Sequence, residues 1–376
     1  MSASVALFDC RLGASDLAVL EPVLASGQLA AGPNVAGLEQ DLAAYLGGGR
    51  VVALGDMTHA LTLALQLAGV RSGDEVLTLA YNCLSSNTAI TQAGAVPVWV
   101  DIDPDLASMS VTDCEAALTP RTRALIVYHV AGYPARLDAL RAFCDTHRLV
   151  LIEDANNALG ARWNGQSVGL VGDFAVFSFY ANRQVNGIEG AALVCPDEAT
   201  AREALRLRRF GIDMSTFRDP LGEINPSSDV PRIGMSSPLN HVNATLARHQ
   251  LRSIDERLAH NRRHAAWLVE ALADVEGVRP IVWPAEADPA FWVWLVHCEQ
   301  RDQMLAGLKQ LGIQCSKLHQ PNDIYTGFGS RARPLPLTRQ FSGGILALPC
   351  GWWLQEDDLA RTAEAVRGLV LSSRQA

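Results

Sequence analysis

A chain of 376 residues, 49% apolar and 19% charged, exceeds the ~250–300 residues at which a single hydrophobic core stops growing, so a large unit with a smaller companion is expected. This ordinary soluble composition excludes a disordered chain. The net charge of −9 and the absence of any basic stripe speak against nucleic acid or an anionic membrane as partner.

The opening residues Met1-Ser2-Ala3-Ser4-Val5 lack the basic and apolar regions of a secretory signal. No run approaches the ~18 apolar residues of a spanning helix, and a cytoplasmic location is expected. The eight cysteines (Cys10, Cys83, Cys114, Cys144, Cys195, Cys298, Cys315, Cys350) form no C-x-x-C pair and no zinc-like cluster with histidine. They read as reduced, mostly buried thiols, and no metal is expected.

Gly47-Gly48-Gly49 precedes a strand and reads as a turn; no G-x-G-x-x-G follows an early strand, which weakens a dinucleotide-binding reading. From Val51 onward, short β-branched runs alternate with helical stretches. The expected strands are Val51–Leu54, Val76–Leu79, Val98–Ile102, Ala124–His129, Leu149–Glu153, Phe174–Ser178 and Ala191–Val194. The expected helices between them are Thr58–Ala68, Ser86–Ala93, Val111–Ala117 and Leu137–His147. Such alternation predicts an α/β fold with a mainly parallel seven-stranded sheet covered by helices, and ligands at the carboxyl ends of its strands. A helix at Arg202–Arg209 precedes an aperiodic stretch, Gly211–Pro238, long enough to be functional or to reach a partner subunit. A single amphipathic helix is expected over Asn240–Leu272. Strands Phe291–His297 and Gly343–Leu348 and helices Arg301–Leu311 and Gln355–Leu371 then give an α+β pattern. The expected division is a large domain, 1–250, and a small one, 251–376.

Three places at strand ends carry polar chemistry. Asp154, in Ile152-Glu153-Asp154-Ala155-Asn156-Asn157, ends a buried strand. It either bonds the protonated nitrogen of a pyridine cofactor or caps the next segment. Thr58, in Gly55-Asp56-Met57-Thr58-His59, lies where a helix N-terminus offers free N–H groups to a phosphate; it is either a phosphate ligand or an N-cap. Ser178 offers a second hydroxyl to the same phosphate, or serves a strand-end turn.

Taken together, the motifs resemble those of the DegT/DnrJ/EryC1/StrS family, nucleotide-sugar aminotransferases of pyridoxal-phosphate fold type I. The matching stretches include Thr58-His59-Ala60-Leu61, Gly73-Asp74-Glu75-Val76, Gly94-Ala95-Val96-Pro97-Val98 and Tyr128-His129-Val130-Ala131-Gly132-Tyr133-Pro134. They continue through Ile152-Glu153-Asp154-Ala155, Gly172-Asp173-Phe174-Ala175-Val176-Phe177-Ser178-Phe179, Gly187-Ile188-Glu189-Gly190 and Leu346-Ala347-Leu348-Pro349. Their order and spacing run through almost the whole chain. The resemblance implies the following roles. Asp154 is the partner of the pyridine nitrogen. Thr58 and Ser178, with neighbouring His59, hold the phosphate, and Asn157 contacts the cofactor where the family usually has Gln. Cys83 stands where an aromatic ring commonly stacks. Ser236 falls where an Asn reaches the phosphate from the neighbouring subunit, which implies a homodimer. His319 lies near the substrate sugar.

The resemblance also places Arg183 at the position of the lysine that forms the Schiff base and shuttles the proton. Arginine does neither well, because its guanidinium stays protonated throughout the physiological range and its lone pairs are delocalised. Lys309 and Lys317 are the only lysines of the chain, both far along it. Three readings follow. The first is an aminotransferase variant that holds pyridoxal or pyridoxamine 5'-phosphate non-covalently and moves an amino group from glutamate to a nucleotide-linked keto-sugar. The second is a lysine-free, pyridoxamine-dependent keto-sugar dehydratase that needs another base, such as His129 or His59. The third is a non-catalytic pseudoenzyme in which Arg183 pairs with an anion.

Overall fold

The computed structural model describes residues 4–329 and 332–375. Seven strands build its central sheet: β1 (Arg50–Leu54), β2 (Glu75–Leu79), β3 (Val96–Val100), β4 (Thr122–Tyr128), β5 (Val150–Asp154), β6 (Phe174–Ser178) and β7 (Ala191–Cys195). Their spatial order is β1-β7-β6-β5-β4-β2-β3. β7 runs against both of its neighbours, and all other adjacent pairs are parallel.

The strands are apolar on both faces because both faces are covered. One face carries Leu77, Leu125, Val127, Leu151, Ala175 and Phe177, and joins the larger core with Leu38, Leu42, Leu140 and Phe143. The opposite face carries Val52, Leu54, Val76, Ile126, Ile152 and Val176, and packs on Leu61, Ile90 and Ala204 from the helices Met57–Leu67, Leu84–Gln92 and Glu198–Leu207. Each such Val, Leu, Ile or Phe side chain contributes ~1.5–3 kcal/mol by burial, against ~1–2 kcal/mol per residue of backbone entropy, so the sheet needs both layers.

A second sheet, antiparallel, has the order β8-β9-β10, with β8 Val278–Pro280, β9 Trp294–Cys298 and β10 Ile345–Leu348. The helices Arg301–Gln310 and Glu356–Gln375 accompany it. Six of the eight cysteines are buried. Among the described residues no helix is long and apolar enough to cross a membrane.

The single helix expected over 240–272 is in fact two, His241–Leu251 and Ile254–Ala271. Ser253 causes the break: its hydroxyl donates to the Gln250 carbonyl at 3.0 Å, and its own N–H turns to the same carbonyl at 3.2 Å. A serine that bonds its own preceding turn competes with helix propagation. The stretch 211–238 is irregular and exposes Leu221 and Ile233 at 88% and 80%. It begins at Gly211, with φ +86°, where an added Cβ would meet the Arg232 carbonyl oxygen at 1.9 Å. Only glycine fits that approach.

Candidate functional site

Parallel strands present their carboxyl ends along one edge of the sheet, and the polar residues gather there. Asp154 is the last residue of β5 and fully buried. Its Oδ1 accepts from Asn156 Nδ2 at 2.9 Å and more weakly from the Asn156 N–H at 3.4 Å; its Oδ2 accepts from Asn82 Nδ2 at 3.3 Å. Burial pushes the carboxyl pKa up, and the polar side chains of Ser86, Asn156 and Asn82 oppose the shift. No α-helix follows, so Asp154 caps only a turn.

The preceding residue, Glu153, points to the other side and fixes this strand tip. It accepts backbone N–H groups from Gly169, Val171 and Gly172 at 2.7, 2.9 and 2.6 Å, and meets His129 Nε2 at 3.2 Å. Because His129 Nδ1 accepts from the Ala135 N–H at 3.0 Å, its proton lies on Nε2 and is donated to Glu153. His129 is therefore locked in a wholly buried pair.

Tyr128, the last residue of β4 and beside Asp154 in register, is a site residue that the sequence reading did not single out. Its oxygen receives Asn157 Nδ2 at 3.1 Å and the Ala131 N–H at 3.4 Å, so its own proton goes to His319 Nε2, 3.1 Å away. His319 is then a neutral ring with its proton on Nδ1. Burial, aided by the positive charge of Arg183, pulls its pKa down to about 3. Tyr81 and Tyr128 pack edge-on against the imidazole, at 5.4 and 5.7 Å.

Arg183 lies within electrostatic reach of Tyr128, Cys83, Asp154 and Tyr180. Its guanidinium carbon sits 4.7 Å over the ring of Trp292, and its Nη1 donates to Asn182 Oδ1 at 2.5 Å. Its Nε is buried without a partner, as are the Oδ1 atoms of Asn156 and Asn157. Cys83 begins the helix Leu84–Gln92 and accepts a bond from the Ser85 hydroxyl at 3.1 Å.

At the end of β1, the helix Met57–Leu67 is capped by Asp56, not by Thr58; the Asp56 carboxylate accepts the His59 N–H at 3.0 Å. That leaves the Met57 and Thr58 amides and the Thr58 hydroxyl at the helix mouth. His59 Nδ1 contacts the Ser237 hydroxyl at 3.1 Å. The Ser178 oxygen accepts the Tyr180 N–H at 3.2 Å, a strand-end turn that leaves its own proton to donate. Ser178 pairs with Ala191, which pairs in turn with Leu54, so this hydroxyl and the helix mouth share the edge. Ser236 is not in this cleft: it is exposed and lines a surface groove with Arg206, Arg209 and Met214.

Asp154, Asn157, Cys83, Arg183 and His319 thus converge, with Thr58, His59 and Ser178 farther along the same edge. The DegT/DnrJ/EryC1/StrS aminotransferase family model matches residues 11–367. The chain belongs to that family.

Two relatives agree with this membership of the DegT/DnrJ/EryC1/StrS family. The dTDP-3-amino-3,4,6-trideoxy-alpha-D-glucose transaminase of Micromonospora megalomicea subsp. nigra is 33% identical over 370 residues, covering 96% of each chain. Its namesake from Streptomyces venezuelae is 31% identical, covering 95% of this chain and 92% of its own. Among solved structures, S. venezuelae DesV in complex with a ketimine intermediate superposes with a TM-score of 0.90 at 30% identity, covering 98% of this chain and 99% of its own. The aminotransferase TlmJ from Streptoalloteichus hindustanus superposes with a TM-score of 0.92 at 28% identity, covering 99% of this chain and all of its own. The architecture is the type I fold of pyridoxal-phosphate-dependent transferases.

Proposed function

We propose that this member of the DegT/DnrJ/EryC1/StrS family binds pyridoxal or pyridoxamine 5'-phosphate without a covalent tether. The site is of the kind that moves an amino group from glutamate to a keto group on a nucleotide-linked sugar. The observation that carries this reading is the position of Arg183 within electrostatic reach of Asp154, with its buried Nε and the Oδ1 atoms of Asn156 and Asn157 lacking partners. Unanswered buried polar atoms cost ~1–3 kcal/mol each, so a polar occupant suits the space.

The residues present fit such a cofactor. Asp154 would hold the ring nitrogen, Asn157 a ring substituent, and Cys83 a ring face. The amides and hydroxyls of Met57, Thr58 and Ser178 would hold the phosphate, with His59 beside them. When bound, the cofactor supplies a ring that withdraws electrons from the carbon being changed. His319 would donate a neutral N–H to the sugar. In a homodimer, Ser236 would complete the partner's phosphate site, and the chain divides into a large domain, 1–250, and a small one, 251–376.

Arg183 orients and neutralises anions but is a poor proton carrier. One set of observations favours a second reading, binding without turnover, over a lysine-free dehydratase. His129 is tied to Glu153 and His319 stays neutral to about pH 3, so neither of these two histidines is a ready base.

Calorimetric titration with pyridoxamine phosphate tests the cofactor, and assay of amino transfer by the wild type and by Arg183→Lys tests the chemistry. Absence of pyridoxamine phosphate binding would overturn the reading. Activity that appears only in the lysine variant would select binding without turnover in the natural chain.

A further inference from the structure

The mounting of Arg183 is more elaborate than a substituted amine requires. Its guanidinium lies on Trp292, whose Nε1 donates to the Asn182 carbonyl at 2.6 Å and whose ring stacks with Phe8 at 4.6 Å and 20°. The Asn182 side chain takes one Nη1 proton. A face covered by an indole leaves a guanidinium only its edge for further bonds, and that edge is a planar fork of N–H donors suited to oxyanions. Among the described residues Arg183 has no salt bridge, and its Nε finds no acceptor. Asp154, a buried carboxylate within its electrostatic reach, has its oxygens engaged by Asn82 and Asn156.

We propose that Arg183, clamped on Trp292, is an oxyanion receptor whose free edge pairs with a carboxylate or phosphate group of the bound ligand. This deepens the reading above and rests on the cleft taking a ligand. A partly buried guanidinium that Asp154 and Glu189 influence only through space, without a direct ion pair among the described residues, is costly, and an incoming oxyanion lowers that cost.

The test uses the full-length protein and calorimetric titration with 2-oxoglutarate, inorganic phosphate and pyridoxamine phosphate in turn. Arg183→Gln is expected to weaken at least one of them by about tenfold or more, the loss of a charged hydrogen bond. Arg183→Lys, which keeps the charge and loses the fork, is expected to fall between. Loss confined to 2-oxoglutarate identifies a carboxylate; joint loss of phosphate and pyridoxamine phosphate identifies a phosphate. Wild-type affinity for all three in a folded Arg183→Gln protein overturns the proposal, as does a wild type that binds none of them. If Arg183→Gln does not fold, Arg183→Lys decides, and unchanged affinities overturn it. The cofactor reading fails separately, if pyridoxamine phosphate does not bind while an Arg183-dependent oxyanion does.

Discussion

The phenol of Tyr128 gives its proton to Nε2 of His319 across 3.1 Å, because two N–H donors already occupy the phenol oxygen. This bond joins the tip of a central strand to a loop near the antiparallel sheet, and it fixes the imidazole in one tautomer.

The first prediction concerns that ring. Burial, then Arg183, lowers the His319 pKa from 6.5 to about 3. The unfolded chain therefore binds a proton at this site that the folded chain refuses, in the window between those values. Stability from this group is full above the unfolded value and falls as pH drops toward 3. Nitrogen-detected NMR of the imidazole should show a neutral ring at pH 5. In Arg183→Gln the midpoint should rise yet remain below 6.5, since burial is the larger cause. A wild-type ring that titrates near 6.5 would refute the assignment.

A second expectation follows from the missing amine. Arg183→Lys, incubated with pyridoxal phosphate and then reduced with borohydride, should gain the mass of one cofactor at residue 183, as peptide mass spectrometry would show. The wild type should gain none there. Labelling of Lys309 or Lys317 instead would mean that residue 183 does not face the cofactor.

Asp154→Asn removes the charge while keeping the shape. Its affinity for pyridoxamine phosphate should drop about ten- to hundredfold, the worth of a charge-assisted hydrogen bond, with little change in the binding of inorganic phosphate. Equal losses for both would point to a distorted strand tip and not to a lost contact with the ring.

Glu153 should matter to stability and not to ligand choice. Glu153→Gln replaces a buried carboxylate that receives three backbone N–H groups and the His129 proton. A loss of about 3 kcal/mol is expected in urea unfolding, because the new amide donor opposes these donors. A change below about 1 kcal/mol would show that the surrounding loop tolerates rearrangement.

Most of the central sheet was readable because its strands are continuous apolar runs between turn signals, and Phe174–Ser178 agrees to the residue. The helix Val111–Ala117 agrees likewise, since Ser110 caps it through the Asp113 N–H. The helices Ala14–Ser26 and Pro33–Leu46 were not read. The first contains Pro22 and has only a weak apolar stripe, so its place depends on packing against the helix His241–Leu251. The break at Ser253 was hidden because the apolar pattern continues across it.

In the cleft, Asp154 and Ser178 were legible as strand-end polar residues, whereas Tyr128 and Asn82 passed unnoticed. Tyr128 carried a usable signal, a hydroxyl at the carboxyl end of the neighbouring parallel strand. Trp292 carried none, since nothing in its local sequence announces that it meets a side chain more than a hundred positions away. Thr58 reads in the sequence as either a phosphate ligand or the N-cap, and the cap falls to Asp56, because both residue types suit that position.

Asn322, just past His319 in the chain, has its amide tied to the Asn82 carbonyl and to Asn87, each at 3.0 Å, while its N–H bonds the Ala80 carbonyl at 2.8 Å. All three asparagines are buried. The wall that carries His319 is thereby bolted to the tip of β2, and swinging it outward would break all three bonds at once. That side of the site is held in shape before any guest arrives.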